Sequence, residues 1–173
     1  MSFGIKIKHH GEYGKFIMIL LTGGTGFLGG RLADSLEKKN SRFLFATSNK
    51  KIASQANSSE NKVVFLDLSS PFEKQDISHL KEVSQIIHLA SLNHNQSQEN
   101  EKLARQVKIL GMKKLIHECL KYNLKKFINI STSHVYGHSL KGKIDEYHPT
   151  LPQNTYSKVH LESENDLKKI ATK

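Results

Sequence analysis

Three glycines at three-residue spacing, Gly23, Gly26 and Gly29, have the types and intervals most suited to chemistry in this chain. They stand in Thr22-Gly-Gly-Thr-Gly-Phe-Leu-Gly29, directly after an apolar run from Phe16 to Thr22. A helical pattern follows at once, with Leu28, Leu32 and Leu36 recurring every fourth residue. Between a strand and a helix, the first glycine permits a tight turn and the second lets the backbone approach a pyrophosphate. The third lets helix and strand pack closely. The helix N-terminus adds free N–H groups and a partial positive charge for phosphate oxygens. The turn, with Thr25, Phe27 and Leu28 between its glycines, therefore reads as a dinucleotide-binding site.

Such a turn must be held by a particular set of elements. Phe16 to Thr22 reads as a strand buried on both faces. Phe43 to Thr47, Val63 to Asp67, Ile86 to Ala90 and Phe127 to Ser131 read as four more strands. Lys50 to Asn61 is expected as a loop or short surface helix, and Asn93 to Asn100 as a polar loop. Lys102 to Tyr122 reads as one long amphipathic helix, with Val107, Leu110, Leu115 and Leu120 among its apolar positions. A last helix starts near Tyr156, after a loop holding Pro149 and Pro152. This alternation predicts an α/β fold, a doubly wound parallel sheet of about five strands with its ligand along the carboxyl rim. Residues 16–173 make up that domain. Residues 1–15 are expected as a disordered extension, with Met18 a second credible start.

Composition removes several classes. The 173 residues suit one domain, and 37% hydrophobic with 24% charged residues describes a globular chain rather than a disordered one. No run approaches the roughly 18 apolar residues of a membrane span. Cys119, the single cysteine, excludes an internal disulfide framework or a multi-cysteine zinc site and fits a cytoplasmic protein. It reads as a small buried hydrophobe. The net charge of +10 raises the question of nucleic acid, but no RNA-binding aromatic motif, zinc finger or arginine-rich arm accompanies it. Solvated lysine faces or a phosphorylated small ligand account for it instead.

The spacing from Thr22 to Gly29 resembles that of the extended short-chain dehydrogenase/reductase superfamily, the branch of NAD-dependent sugar-nucleotide epimerases and dehydratases. Asp67-Leu68 looks like the family's adenine contact, and His88-Leu89-Ala90-Ser91 like the turn passing beside the cofactor. Ser131-Thr-Ser-His-Val-Tyr-Gly137 and Tyr156-Ser-Lys-Val-His160 resemble its two active-site segments. The resemblance implies a Rossmann-like sheet, NAD or NADP as cofactor, and a nucleotide-sugar substrate of surface-polysaccharide synthesis, with neither nucleic acid nor membrane as partner. The second strand of relatives ends in an acid that favours NAD. Here Thr47, Ser48, Asn49, Lys50 and Lys51 stand in that region, which leans towards NADP, a surface role for the lysines remaining open. Ser48 and Lys50 are accordingly counted with the cofactor contacts.

The same resemblance gives Tyr156 the acid/base role and Thr132 the hydrogen bond to the reacting oxygen. A free phenol titrates near ~10, so a tyrosine base near pH 7 needs ~4 kcal/mol of phenolate stabilisation. Relatives place a lysine four residues on; this chain has His160. Either the imidazole holds the ribose and, when protonated, favours the phenolate, or the site has lost much of its activity. Lys108 stands where many relatives have an asparagine, aligned on Gly111. The acidic pair of the 4,6-dehydratases is replaced by Ser133-His134, which favours epimerase or ketoreductase-type chemistry over elimination. His134 reads equally as an acid/base, a sugar contact or a loop histidine, and His88 as packed at its strand end.

Extended relatives run to roughly twice this length, so the chain is expected to lack a sixth strand and the region that grips the sugar. A homodimer or a complementing C-terminal chain is the expected partner, favoured by an open sheet edge. The alternative is a non-catalytic dinucleotide-binding or interaction module.

Overall fold

Leu20, Leu21 and Ile86 are wholly or almost wholly shielded from solvent, because the strands that carry them lie in the middle of a sheet covered on both faces. A computed structural model describes residues 2–6, 17–55 and 63–172 of the chain. Among the described residues, six strands form one sheet: β1 (Ser2–Lys6), β2 (Met18–Thr22), β3 (Arg42–Thr47), β4 (Val63–Phe65), β5 (Gln85–His88) and β6 (Lys126–Ile130). Their order is β1-β6-β5-β2-β3-β4. The strands from β2 to β6 pair in parallel, as expected for an α/β sheet. The chain builds outward from β2 through β3 to β4, then crosses back to lay β5 on the other side of β2. The point of reversal, between β2 and β5, is where such sheets open a crevice at their carboxyl ends.

Alternate residues of β2 feed two apolar layers. Leu20 packs with Met112, Leu115 and Ile116 of α6 (Met112–Leu120) and Leu167 of α7 (Thr155–Ala171). Ile19 and Leu21 point the other way, to Ala33, Leu32 and Leu36 of α1 (Phe27–Lys38). The four-residue leucine spacing thus closes one side of the sheet, and burying each such side chain contributes about 1.5–3 kcal/mol.

Four expectations are corrected. The N-terminal region, expected to be disordered, contributes β1, which pairs antiparallel along the whole of β6, from Ser2 against Ile130 to Lys6 against Lys126. Residues 7–16 of that extension lie outside the described residues. The β6 edge is therefore covered, not open. The segment 93–100, expected as loop, holds α4 (His94–Glu99), because Asn93 Oδ1 accepts from Gln96 N at 2.9 Å while Gln96 caps Asn93 N in return. A further helix, α3 (Lys74–Leu80), begins with an analogous box between Glu73 and Asp76. Lys50–Gln55 forms α2; the rest of that connection, 56–62, lies outside the described residues. The long helix is not continuous α-helix. It comprises α5 (Glu101–Arg105), a π-helical segment at Gln106–Gly111, and α6. The wider π turn shifts the phase, so Leu110 is 56% exposed while Lys108 is 0% exposed.

Candidate active site

The crevice between β2 and β5 holds a cavity of about 560 Å³. Gly23, Thr25, Gly26, Phe27, Leu28 and Gly29 form one wall, Ser48, Asp67 and Leu68 one end, and Leu89, Ala90, Ser91 and Tyr156 the other. Of the residues expected to touch cofactor, the structure brings all of these together. Lys50, Thr132 and His160 are not among those lining the cavity.

The glycine turn is shaped by close approach. Gly23 has φ +70°, and a Cβ there would stand 2.6 Å from Ala90 N. A Cβ on Gly29 would meet the Gly24 backbone at 2.4 Å. Both positions exclude every side chain, which brings the loop, β5 and α1 to van der Waals contact. Gly26 is the N-cap of α1 and supplies no side-chain cap, nor does the first turn contain an acid. The first turn of α1 thus lines the cavity without a side-chain cap, with a favourable helix dipole behind it. These features fit a pyrophosphate.

At the adenosine end, Asp67 accepts from Ser69 N at 2.8 Å, Ser69 Oγ at 2.7 Å and Ser70 Oγ at 3.0 Å. Burial pushes its carboxyl upward, but those hydrogen bonds and the Lys114 charge outweigh it and hold the group below its ordinary value. Asp67 is thus an anion able to accept from an amine or hydroxyl. Lys50 Nζ lies 5.1 Å from the centre of the Phe65 ring, so the expectation that it attracts a 2′-phosphate in the cavity finds no support in its placement.

Tyr156 is set by the N-terminus of α7, where Asn154 Oδ1 accepts from Ser157 N at 2.9 Å. Three imidazoles surround its ring: His160 with centroids 4.4 Å apart, His134 edge-on at 6.1 Å and His94 edge-on at 6.4 Å. His160 Nε2 and Ser91 Oγ share a hydrogen bond of 3.0 Å, which ties the α7 turn to the loop after β5. Burial first, then the Lys108 and His134 charges, push the His160 imidazole down to about 3. The reading in which protonated His160 favours a phenolate is therefore corrected: this imidazole is neutral at ordinary pH. Thr132 caps the 3₁₀ turn Ser133–Tyr136, its Oγ1 accepting from His134 N at 3.3 Å.

His88 and Lys108, each singled out in the sequence, come together here in a buried polar cluster with Thr22 and Asn129. His88 is wholly buried and shares a 2.8 Å hydrogen bond with Thr22 Oγ1. Burial, Lys108 and His160 hold it well below the usual imidazole range. Lys108 Nζ donates to Asn129 Oδ1 and to Ile130 O, both at 2.9 Å. Lys108 was visible in the sequence as a departure aligned on Gly111, and also as a cation in the middle of Val107-Lys-Ile-Leu110, where an apolar helix face passes. Among the described residues, no group of three or more His, Cys, Asp or Glu could hold a metal ion, and no helix is long and apolar enough to cross a membrane.

Comparison with known proteins agrees with this geometry. The chain is 32% identical over 160 residues to a dTDP-D-glucose 4,6-dehydratase of Dictyostelium discoideum, a match covering 85% of this chain and 36% of the relative. Among solved structures, it resembles the UDP-glucose 4-epimerase of Thermus thermophilus in complex with NAD. The TM-score is 0.76 at 20% identity, over 90% of this chain and 51% of that one. It also resembles the UDP-Glc/GlcNAc 4-epimerase of Campylobacter jejuni, with a TM-score of 0.73 at 24% identity, over 90% and 49% of the two chains. Identities this low establish a shared fold. The chain spans 36–47% of the length of the curated relatives it matches. The NAD dependent epimerase/dehydratase family model matches residues 19–173, and with the glycine turn and Tyr156 meeting in one cavity, the chain belongs to that family.

Proposed function

We propose that this chain is the cofactor-binding and catalytic-tyrosine portion of an NAD-dependent enzyme that modifies a nucleotide sugar. The observation that carries the reading is the single cavity shared by the glycine turn, Asp67 and Tyr156. Gly23 to Gly29 and the start of α1 would hold the pyrophosphate, Asp67 the adenine side, and Leu89 to Ser91 the side nearer Tyr156. NAD supplies hydride acceptance and return when bound. The residues of this chain do the rest. Tyr156 takes or gives the proton of a sugar hydroxyl, and Thr132 and His134, held together at the end of β6, orient the oxygen. No carboxylate pair follows Thr132, which supports epimerase or ketoreductase-type chemistry over elimination. On this reading the enzyme serves cytoplasmic surface-polysaccharide synthesis, and a second copy or a complementing chain provides the sugar-gripping surface.

Calorimetric titration with NAD, then incubation with UDP-, dTDP- and GDP-sugars, tests this. NAD is expected to bind wild type and Tyr156→Phe alike, with sugar turnover confined to wild type. Absence of NAD binding by the folded wild type would overturn the reading. The neutral His160 motivates the second reading, a dinucleotide-binding module without turnover. NAD binding with no conversion of any nucleotide sugar by wild type would establish it.

A further inference from the structure

Lys114 of α6 does not stand free in solvent. Its side chain is half-buried, and its Nζ donates to Leu68 O at 3.2 Å and to Ser70 O, both in the turn that follows β4. The same ammonium lies over the Phe72 ring, 4.2 Å from its centroid. A long, flexible side chain is thus ordered against one loop, at an entropy cost that a solvated lysine face does not bear. Charge-assisted bonds of this kind are about twice as strong as neutral ones, which offsets that cost. Gly111, at the end of the π segment just before α6, meets the same loop. A Cβ there would stand 2.7 Å from Leu68 Cβ and 2.8 Å from Leu68 O. Helix and loop backbone therefore touch directly, and Lys114 fastens them together.

That loop carries Asp67. Its carboxylate is held by Ser69 N, Ser69 Oγ and Ser70 Oγ, and Asp67 O accepts from Ser70 N at 3.4 Å. These bonds give the turn 67–70 its shape, but they are internal to it and would travel with it. Lys114 joins the turn to α6 and so gives that shape a position. Asp67 lines both the cavity of the glycine turn and an adjoining hollow of about 530 Å³, whose walls include Leu92, Leu103 and Val107. Apolar walls with an anionic acceptor at their edge suit a flat aromatic base that bears an amine. A small displacement of the turn would carry the acceptor out of reach, because hydrogen bonds are confined to a narrow range of distance and angle.

We propose that Lys114 is a positioning residue for the base end of the cofactor site, holding the Asp67 turn where its carboxylate accepts from the exocyclic amine of adenine. The inference rests on the reading of the cavity as a dinucleotide site. Both Ser69 bonds fall on Oδ1, and Oδ2 receives Ser70 Oγ alone among the described residues, so Oδ2 keeps room for a further donor. Hypoxanthine presents a carbonyl oxygen in place of that amine, which sets acceptor against acceptor. The turn therefore distinguishes the two bases as long as it is held in place. Lys114 is not among the residues lining either space, so it acts on that choice through Asp67 and not by touching the base.

Calorimetric titration of the full chain with NAD and with nicotinamide hypoxanthine dinucleotide tests this. Wild type is expected to bind NAD at least about tenfold more tightly than the hypoxanthine dinucleotide. Lys114→Met should weaken NAD about tenfold and the hypoxanthine dinucleotide far less, so that the preference shrinks to about twofold or below. Lys114→Arg, whose planar fork serves paired acceptors and stacks on an aromatic ring, should keep most of the preference. A purely structural role predicts equal losses for both dinucleotides. Equal losses, or unchanged affinities in Lys114→Met, overturn the proposal. Should Lys114→Met not fold, Lys114→Gln, too short to span both carbonyls, takes its place. Equal wild-type affinities for the two dinucleotides overturn it without any variant. The two readings fail differently: a wild type that binds NAD with a preference indifferent to Lys114 refutes this inference alone. A folded wild type that binds neither dinucleotide refutes the proposed function, and this inference with it.

Discussion

Replacing Lys108 with methionine exchanges a buried ionisable group for an apolar one of similar length, and its effect on stability has a calculable dependence on pH. In the unfolded chain the ammonium has its ordinary value of 10.5; in the folded chain it falls to about 7. Between those values the unfolded state binds the extra proton, so stability rises with pH through that window. At pH 7 folding bears a penalty of about 4 kcal/mol from this group, and at pH 9 about 2 kcal/mol. Methionine removes the penalty but leaves Asn129 Oδ1 and Ile130 O without the lysine donor, at about 1–3 kcal/mol each. That second cost does not vary with pH. The stability difference between Lys108→Met and wild type should therefore move against the variant by about 2 kcal/mol from pH 7 to pH 9. Cys119, whose burial raises its thiol to about 12, destabilises the fold of both proteins equally above pH 9 and cancels in the comparison. Urea denaturation of both proteins at pH 7, 8 and 9 measures the quantity directly. A constant difference across that range would refute the argument that Lys108 is buried with a depressed ammonium.

Two further outcomes are expected. Gly29→Ala places a Cβ 2.4 Å from Gly24 backbone, whereas Gly30→Ala meets nothing within 4 Å. The first should weaken NAD binding at least about tenfold, and the second should leave affinity unchanged while adding about 0.5–1 kcal/mol of stability; equal losses in calorimetry and thermal melting would contradict the described turn. Below pH 6.5, the buried neutral imidazoles of His88 and His160 must be charged on unfolding but resist it in the fold, their values lying below the ordinary one. Stability is thus complete well above 6.5 and lost as pH falls through it, by at most about 3 kcal/mol per unit for the pair. An unfolding free energy that stayed flat from pH 6.5 to 5 would be incompatible with that burial.

The features legible from sequence were those carried by local pattern. Apolar runs marked the five parallel strands, since a doubly covered strand has few alternatives to continuous hydrophobicity. The glycine triplet marked the turn after β2 because no side chain fits where Gly23 meets Ala90 and Gly29 meets Gly24. Where the reading failed, the cause was a capping box, a change of helical phase or, for β1, a pairing with a strand far along the chain. Asn93 and Gln96 look like loop residues until their reciprocal hydrogen bonds are recognised. The π segment defeated a 3.6-residue period, turning Leu110 to solvent and Lys108 to the interior. His160 was visible as a departure, but its neutrality depends on burial and on neighbours from the π segment and the 3₁₀ turn, which no local pattern brings together.

The antiparallel strand β1 has a bearing on how the chain acquires its structure. Its register joins Ser2 to Ile130 and Lys6 to Lys126, so β1 pairs with a strand far along the chain and cannot dock until that strand is in place. Loop closure over such a span is slow relative to the β2–β3 and β3–β4 contacts that local crossovers bring together. The parallel strands therefore assemble first and β1 docks onto a finished β6. The same ordering applies in reverse: amides of β1 should exchange with solvent well before those of β2, and that strand is the first to part from the sheet when the fold loosens.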